Sequence, residues 1–441
     1  MKVTFIQPAV GKKPHKSYAK TWCMEPLAIA VLAGLTPNKY QKVFYDDRIE
    51  GIPYDETTDI VAITTETYTA KRAYEIAKVY REKSIPVVMG GFHATLATNE
   101  VKQHADVVVV GEAEATWPQV LNDFENGALK SIYRNDTPPS TAGVLPNRAI
   151  FNNKRYLNIG LVESTRGCYH SCEFCSIYGF YKQNYRPRSI DDIVEDIKLS
   201  EKKFFFIVDD NVALNRERTL ELCKALKPLK IGWFGQVSMH ISKDFELLQA
   251  MKDSGCIGVL VGFESLNKST LELMGKNVNL HFDDYNDVIK RFRRFGLIIY
   301  ATFVFGYPHD TEEDFKHVLK FAKDNKVYMN SFNHLVPFPG TPIYDRFKNE
   351  GKLINETWWL ADDYKFGDVV FHPGALTAKQ LSHFCYSYRR EFFKVRSILW
   401  RSLDFKANCS SFKKAMVYFV SNFSSRIDVE KRQGLPVGHN V

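Results

Sequence analysis

Two successive series of alternating strand-like and helix-like segments constrain the fold of this chain more than any other feature of its 441 residues. The first series occupies residues 1–135, where short runs rich in Val and Ile alternate with segments of helical apolar spacing. Because parallel strands are joined by crossover helices, this alternation predicts an α/β domain with a doubly wound parallel sheet. The five predicted strands are residues 3–6, 42–45, 60–64, 86–89 and 107–110.

A stretch rich in Pro, Asn and Ser at residues 135–147 breaks the alternation and predicts a linker, which we assign to residues 136–154. The second series fills residues 155–375. Six parallel strands separated by helices predict a partial (β/α)6 barrel, whose functional face lies at the carboxyl ends of the strands. The predicted strands are residues 158–163, 204–208, 232–237, 258–263, 298–305 and 331–336.

The last segment, residues 376–441, carries the whole basic excess of the chain. It holds 12 Lys and Arg against 4 Asp and Glu, and the net charge of the full chain is +8. Bases and aromatic residues recur at helical spacing, so we expect a mainly helical basic extension. Two hypotheses stay open: a helical cap with a solvated basic face, or a helix that contacts a membrane surface or an acidic partner. No nucleic-acid partner is expected, because no stacking module or helix-turn-helix pattern accompanies the bases.

The sequence predicts no membrane-spanning helix, because no window of about 18 uncharged apolar residues occurs. Residues 1–6 enter a strand-like pattern directly, without the charged head and apolar stretch of a secretion signal. We therefore expect a cytoplasmic protein, with any membrane contact confined to the periphery.

Three of the eight cysteines stand within eight residues, directly after the first strand of the second series: Cys168, Cys172 and Cys175. Three thiolates can hold three irons of a cubane and leave the fourth iron open to another ligand. A structural zinc site instead needs four closed ligands, usually in two pairs. His170 is the one further donor inside this loop, so the spacing favours the iron-sulfur cluster over zinc, and over three merely structural cysteines.

The pattern Cys-x-x-x-Cys-x-aromatic-Cys, with Phe174 as the aromatic residue, resembles the signature of radical S-adenosylmethionine (SAM) enzymes. The resemblance covers about residues 155–375. It implies a [4Fe-4S] cluster on the three cysteines, with SAM bound to the fourth iron. It also implies cleavage of SAM to a 5'-deoxyadenosyl radical, which removes hydrogen from an unactivated carbon.

Polar residues at the later strand ends are then the candidate SAM contacts. A Gly-Gly-Glu type motif often ends the second barrel strand of the family, and here that place holds Asp209, Asp210 and Asn211. Each candidate has an alternative role as a helix cap or turn residue. The SAM candidates are Phe174, Asp209, Asp210, Asn211, Gln236, Glu264, Ser265 and Gly306.

Residues 1–135 resemble the flavodoxin-like cobalamin-binding domain of one branch of this family, on the segments 88–95 and 108–114. Related domains carry Asp-x-His-x-x-Gly, whose His coordinates cobalt, whereas this chain has Arg48 at the His position. Arginine donates hydrogen bonds only and cannot coordinate cobalt. Either cobalamin binds without a protein His ligand or the domain is vestigial. The candidate cobalamin contacts are Thr65, Glu66, Gly90, Gly91, His93, Gly111 and Glu112.

The leading hypothesis is a cobalamin-dependent radical SAM methyltransferase that acts on an unactivated carbon through methylcobalamin. A second is a radical SAM cyclase or other carbon-skeleton enzyme without net methylation, similar to the anaerobic porphyrin ester cyclase. A third is a non-catalytic iron-sulfur sensor or scaffold, which would have little use for polar groups at successive strand ends. The resemblance implies an electron donor such as flavodoxin or ferredoxin. We expect a small-molecule or lipid substrate, in a pocket shaped partly by residues 334–342.

Overall fold

The first of two parallel sheets appears in a computed structural model that describes residues 1–13, 17–135 and 137–439. Its strands are β1 (Lys2–Gln7), β2 (Gln41–Asp46), β3 (Ile60–Thr64), β4 (Val87–Gly90), β5 (Val107–Val110) and β6 (Ile132–Arg134). Their spatial order is β2-β1-β3-β4-β5-β6, which is a flavodoxin-like order extended by one strand. The sheet therefore reverses direction of growth between β1 and β3, where such folds bind ligands.

Helices cover both faces of this sheet, as a doubly wound fold requires. They are α1 (Leu27–Leu35), α2 (Ala70–Glu82), α3 (Phe92–Leu96), α4 (Thr98–Val101) and α5 (Ala113–Glu125). Alternate residues of one strand enter different cores: Ala62 packs with α1 and α5, whereas Val61 and Ile63 pack with α2. This two-sided burial explains why the strands are continuous apolar runs.

The sequence analysis missed β6, which pairs with β5 from Ile132 to Arg134. It has only three residues and ends in an exposed arginine, so it carries no apolar run of its own. The predicted linker begins at Asp136, which lies outside the described residues, as do the last two residues of the predicted C-terminal extension. The domain boundaries stay a prediction.

The strands of the second parallel sheet are β7 (Gly160–Val162), β10 (Phe204–Ile207), β11 (Gly232–Val237), β12 (Cys256–Glu264), β13 (Ile298–Phe305) and β14 (Met329–His334). Their spatial order is β14-β13-β12-β11-β10-β7, so each strand lies beside its neighbour in this series. All five pairings are parallel, as the alternation predicted. A separate two-stranded ribbon consists of β8 (Thr165–Arg166) and β9 (Arg186–Pro187).

Nine helices accompany this sheet within the described residues, and the outward strand residues pack against them. Val261 and Phe303, for example, are fully buried in this core. Residues on the opposite strand face, such as Tyr300 and Thr302, line an interior cavity instead. The helices are α6 (Ser176–Tyr181), α7 (Ile190–Leu199), α8 (Arg216–Leu226), α9 (Phe245–Asp253), α10 (Lys268–Leu273), α11 (Asn277–Leu280), α12 (Tyr285–Arg294), α13 (Glu312–Asp324) and α14 (Pro342–Asn349).

The C-terminal extension is helical, as expected, and consists of α15 (Ala378–Phe392), α16 (Val395–Ser402) and α17 (Phe412–Arg432). Helix α15 packs along β14, the edge strand of the barrel sheet. Arg401 is fully buried, and its guanidinium donates to the carbonyl oxygens of Val327, Tyr328 and Phe392 and to Oδ1 of Asn422. Part of the basic charge of the extension thus fastens its own helices to the barrel.

Candidate active site

The cysteine loop follows β8 and leads into α6, beyond the carboxyl end of β7. Gly167 has φ +78°, and a Cβ on it would lie 1.9 Å from the carbonyl oxygen of Asn184, so a glycine is needed there. Cys168 follows directly, and Cys175 is the residue before α6. All three cysteines are free thiols, with Cys172 buried and the other two partly buried. The loop therefore presents three reduced sulfurs from a fixed backbone.

Burial raises the pKa of each of these three thiols, and they also act on one another electrostatically. The ammonium group of Lys276 opposes this rise at Cys168 and Cys172. Within the described residues, no three His, Cys, Asp or Glu side chains converge on a single ion. Three thiols from one loop next to a buried cation fit an iron-sulfur cluster, in which each thiolate holds a different iron.

The three candidates after β10 divide by what they contact. Asp209 accepts hydrogen bonds from the Ser164 N–H (2.6 Å) and the Thr165 hydroxyl (2.9 Å), so it fastens the chain just before the cysteine loop. The side-chain amide of Asn211 donates a hydrogen bond to the Ser238 hydroxyl (2.8 Å). Asp210 lies near the thiols; burial, then the charges of Asp209 and Glu163, raises its pKa to about 7. Of the three, Asp210 is the one whose carboxyl faces the cysteine loop.

Glu264 ends β12 with φ +62° and pairs with Lys276 at 3.1 Å. Burial acts to lower the pKa of Lys276, but Glu264 and the Cys172 thiol outweigh it and hold the pKa above its usual value. The sequence analysis missed Lys276, because it lies in a connection between two short helices and shows no local motif. A buried ion pair beside three thiols is suited to bind the charged amino acid end of SAM.

The remaining SAM candidates comprise Phe174, which lies inside the cysteine loop, and three residues at the ends of later strands. Gln236 lies on β11 and is partly buried, and Phe174 packs partly buried against the barrel core. The Ser265 hydroxyl accepts from the Asn267 N–H (3.0 Å), as in the capping alternative. Gly306 has φ +119° and donates to the carboxylate of Asp310 (2.7 Å). The geometry of Ser265 and Gly306 is therefore that of turn residues.

A cavity of about 270 Å³, here named the interdomain cavity, lies beyond the carboxyl ends of β3, β4 and β5. A Cβ on Gly111 would meet no atom within 4 Å, so the backbone there is bare toward open space. Residues of α1 and the sheet, including Val31 and Ala62, continue the cavity as an apolar slot. Bare backbone above an apolar slot would let one part of a large cofactor such as cobalamin approach these strand ends. Five cobalamin candidates line this cavity: Glu66, Gly90, Gly91, Gly111 and Glu112.

The other two cobalamin candidates do not line the interdomain cavity. The Thr65 N–H donates to the Gly90 carbonyl (2.7 Å), and the Thr65 carbonyl accepts from the His93 N–H (3.0 Å). His93 is fully buried, with Nδ1 3.2 Å from the Thr67 hydroxyl and Nε2 3.1 Å from the carboxylate of Glu100. Both residues thus hold the loops that carry Glu66 and Gly91.

Arg48 does not line the interdomain cavity either. Its guanidinium pairs with the buried Asp46 (2.6 Å) and donates to the carbonyls of Trp22 (2.8 Å) and Met24 (2.9 Å). The arginine at the position of the family's cobalt-binding histidine therefore has a structural task. This arrangement agrees with cobalamin binding without a protein ligand from this loop.

An ion-pair network joins the interdomain cavity to the cysteine loop. Arg166, two residues before Cys168, pairs with Glu112, with Glu114 at 2.6 Å and with Glu163 at 2.8 Å. Arg186 of the β8–β9 ribbon pairs with the second oxygen of Glu112. We name Arg166, Arg186 and these three glutamates the Arg166 network. It connects strand ends of the first sheet to the loop that carries the thiols.

Comparison with known proteins agrees with both halves of this geometry. Residues 162–322 match the Radical SAM superfamily, and residues 23–121 match the B12 binding domain. Bacteriochlorophyllide d C-12(1)-methyltransferase of Chlorobaculum tepidum is 30% identical over 389 residues, which are 85% of this chain and 84% of that protein. The C-8(2)-methyltransferase of the same organism is 32% identical, over 75% of this chain and 78% of that protein.

The chain belongs to the cobalamin-binding radical SAM family. Among solved structures, the cobalamin-dependent radical enzyme OxsB, with aqua-cobalamin and SAM bound, has the same fold: TM-score 0.66 at 13% identity, covering 97% of this chain and 72% of OxsB. The predicted architecture is thereby confirmed. The cofactors of this chain are a [4Fe-4S] cluster, SAM and cobalamin.

The chain is an enzyme, a cobalamin-dependent radical SAM methyltransferase, as the leading hypothesis held. The cyclase hypothesis fits less well: the anaerobic magnesium-protoporphyrin IX monomethyl ester cyclase of Cereibacter sphaeroides is 24% identical, below the two methyltransferases. The individual SAM and cobalamin contacts stay predictions. Within the described residues, no helix has the length and apolar composition that crossing a membrane requires.

Proposed function

We propose that this enzyme methylates an unactivated carbon of a small-molecule substrate held in a second cavity, here named the barrel cavity. This cavity has a volume of about 460 Å³, within the range of ligand pockets. The observation that carries the proposal is its walls: Tyr68 comes from the first domain, Tyr300 and Thr302 from the barrel sheet, and Arg389 from the C-terminal extension. A substrate there lies between the domain that binds cobalamin and the barrel that binds the cluster.

When bound, the cluster and SAM supply a 5'-deoxyadenosyl radical, and cobalamin supplies the methyl group. Cys168, Cys172 and Cys175 hold the cluster. The Glu264–Lys276 pair orients SAM, with its ammonium group available to the SAM carboxylate. Asp210 lies near Cys168 and Cys175, and burial raises its pKa to about 7, so its carboxyl would be available to the SAM amine.

The walls toward the first domain exclude water. Tyr68 packs against Phe338, Trp358 and Phe366, with ring centroids 5.4 to 5.7 Å apart. A carbon radical needs an enclosure, because dioxygen and hydrogen donors such as free thiols would consume it before methyl transfer. In the interdomain cavity, Gly90 and Gly111 give cobalamin close access to the strand ends, and Glu66 lines that cavity too.

The experiment uses enzyme purified without oxygen and loaded with iron and cobalamin. It is incubated with a reductant and SAM that carries a deuterated methyl group. We expect deuterated methylcobalamin before substrate is added, and a deuterated product once the substrate is present. Bacteriochlorophyllide d is the first substrate to test, because it is named for both methyltransferase relatives. Loaded enzyme that cleaves SAM but never methylates cobalamin would contradict methyl transfer.

The electron donor proposed for this enzyme is a flavodoxin or ferredoxin. Reductive cleavage of SAM needs one electron at low potential, which these carriers supply to iron-sulfur proteins. Reduced flavodoxin and reduced ferredoxin should each support formation of 5'-deoxyadenosine at a rate that saturates with carrier concentration. A rate that stays proportional to the carrier up to high concentration would argue against a specific donor complex.

We further propose that the extension contacts an anionic membrane surface of the cytoplasm. One side of α17 is an exposed apolar stripe, in which Phe412 is 88% and Val420 66% exposed. Phe405, at 70% exposure, extends it. Exposed bases, including Arg396 and Lys406, accompany these residues, and apolar residues flanked by bases are typical of helices that lie on anionic lipid. The stripe consists of Phe412, Met416, Val420, Phe423 and Ile427.

Sedimentation with vesicles tests this contact. The enzyme should bind vesicles of phosphatidylglycerol and phosphatidylcholine more strongly than vesicles of phosphatidylcholine alone, and less at high salt. Phe412→Ser with Val420→Ser should release it, whereas Leu273→Ser, on an exposed residue of the barrel, should not. A dimer in solution that these two substitutions dissociate, without vesicle binding, would assign the stripe to a second copy.

A further inference from the structure

We propose that Arg389 binds a carboxylate of the substrate inside the barrel cavity. The substrate class is then a small molecule with an acidic group, and the C-terminal extension supplies its recognition. This inference rests on the proposed function, since it takes the barrel cavity as the substrate site. It adds the chemical class of substrate that the walls of that cavity select.

Arg389 lies on α15, and one nitrogen anchors it to the edge of the barrel sheet. Its Nη2 donates to the carbonyl oxygen of Phe332 (2.5 Å) and to Oδ1 of Asn333 (3.2 Å). Nε and Nη1 have no hydrogen-bond partner within the described part of the chain, and no carboxylate there lies within 4.0 Å of the guanidinium. A guanidinium has five N–H groups in a fixed plane, and those of Nε and Nη1 lie on different edges of it, so the anchored side chain still offers a carboxylate oxygen a charged hydrogen bond.

The charges around the cavity leave this cation uncompensated. Asp428 is the one acidic residue among the described lining residues, and it serves other partners: the Thr21 N–H at 3.0 Å and Arg432 at 4.0 Å. Arg432 donates to the Thr21 hydroxyl, and its buried Nε has no partner in the described residues. Two guanidinium groups therefore face one carboxylate across the cavity.

His334 adds no charge to this balance. Burial lowers its pKa to about 4, and its Nδ1 stands 2.9 Å from the Leu335 carbonyl, to which it donates. The ring is therefore neutral near pH 7, with Nε2 as an acceptor. Tyr300 and Ser331 contribute hydroxyl groups that bond to each other at 2.7 Å. The charged groups of the cavity are thus two guanidinium groups and one carboxylate, and its other described walls are neutral.

Arg401, on the next helix, shows how this extension treats an arginine with a structural role. Its guanidinium is fully buried and bonded to three backbone carbonyls and Asn422. A cation removed from water without such partners is costly. Arg389 lines the barrel cavity and has two donor nitrogens without a partner in the described residues, which is the arrangement of a group that a ligand completes.

The test measures binding of matched probes to the loaded enzyme, without turnover. The probes are protoporphyrin IX with its dimethyl ester, and indole-3-propionic acid with its methyl ester. A charged hydrogen bond contributes about 1.5–3 kcal/mol, so we expect at least one acid to bind roughly tenfold or more tightly than its ester. In Arg389→Gln that preference should fall to about onefold, while iron and cobalt contents stay the same.

Arg390→Gln is the matched control, because Arg390 is the next residue, is exposed and pairs with Glu430 at 3.0 Å. It should keep the acid preference. Asp428→Asn removes the opposing carboxylate and should increase the preference, and this second variant does not disturb the Arg389 anchor. Equal binding of acid and ester, no binding of either acid, or an unchanged preference in Arg389→Gln would each overturn the proposal.

Failure of the proposed function gives a different result. If methyl transfer is wrong, acid preference and its loss in Arg389→Gln are still observed, but deuterated methylcobalamin does not form. If the carboxylate site is wrong, cobalamin is methylated and the acid preference is absent.

Discussion

Both parallel sheets of this chain carry their candidate sites at the carboxyl ends of the strands, but the residues at these ends differ between the two sheets. The first sheet ends in glycine backbone and an apolar slot, with Gly90 and Gly111 at the rim of the interdomain cavity. The barrel sheet ends in charged side chains and thiols, such as Asp210, Glu264 and the cysteines. Cobalamin is a large rigid molecule that contacts wide surfaces, whereas the cluster and SAM need a few strong ligands. Strand-end chemistry thus follows the kind of cofactor held.

Of the substitutions considered, removal of a cluster thiol should have the largest effect, and this effect should be confined to the cofactors of the barrel. Cys172→Ala leaves two thiolates, so we expect loss of bound iron and no measurable SAM cleavage. The cores of the first sheet contain no residue of the cysteine loop, so this sheet should still bind cobalamin. Iron and cobalt analysis of the anaerobically purified variant checks both statements. Retained iron with SAM cleavage would contradict the cluster assignment.

Arg166→Gln should weaken the connection between the two sheets. It leaves Glu112, Glu114 and Glu163 buried without their shared cation, and breaking a buried pair costs about 3–5 kcal/mol. We expect a lower free energy of unfolding and two separate unfolding transitions in place of one. Calorimetry checks this, with Arg216→Gln as control, because Arg216 forms ion pairs at an exposed site of one domain. A single unchanged transition would show that the Arg166 network does not couple the sheets.

Gly90→Leu tests the glycine-lined rim. A Cβ at this position makes only ordinary contacts, the nearest at 3.6 Å, so the backbone tolerates a side chain and the added atoms enter the cavity. Cobalamin affinity should fall about 10- to 100-fold, by analogy with overpacking costs of 1–3 kcal/mol, while iron content stays unchanged. Ala128→Leu, at an exposed residue of the first domain that does not line this cavity, is the control. Equal cobalamin affinity in both variants would remove Gly90 from the site.

Lys276→Met should have the smallest effect. It removes one charged partner and leaves the thiols, so SAM affinity should fall about tenfold at constant iron content. Lys268→Met, on an exposed lysine of the preceding helix, should bind SAM as the parent does. Equilibrium dialysis with the loaded enzyme measures both. If SAM binding survives and iron is lost, the Glu264–Lys276 pair supports the cysteine loop and not SAM.

Much of the fold could be predicted, because each parallel strand is a local apolar run. Strands β3 and β5 coincide with their predicted bounds. The three-residue β6 was missed, since an edge strand this short depends on its neighbour for definition. The cysteine loop was equally local, because three spaced thiols carry their meaning in the sequence itself.

The side chains around the cofactors were harder to predict. Asp209 has the expected residue type, but its carboxyl accepts hydrogen bonds from Ser164 and Thr165, which lie 45 and 44 residues earlier. Lys276 was missed because only burial against Glu264 gives it a role. Arg389 lies over 200 residues from the thiols, and α15 must first pack on β14 before it reaches the cavity. Partners chosen by packing leave no pattern in the sequence.

The Arg166 network also affects how the products formed from SAM leave the enzyme. Methylation by this chemistry consumes two molecules of SAM per product, one as methyl donor and one as radical source, so spent nucleosides must leave between half-reactions. The Arg166 network joins both sheets beside the cysteine loop, so we expect it to resist their separation when these products leave. We expect exchange to use movements of the C-terminal helices, which line the barrel cavity with Arg389 and Arg432. The rate of turnover should then depend on how fast the C-terminal helices move.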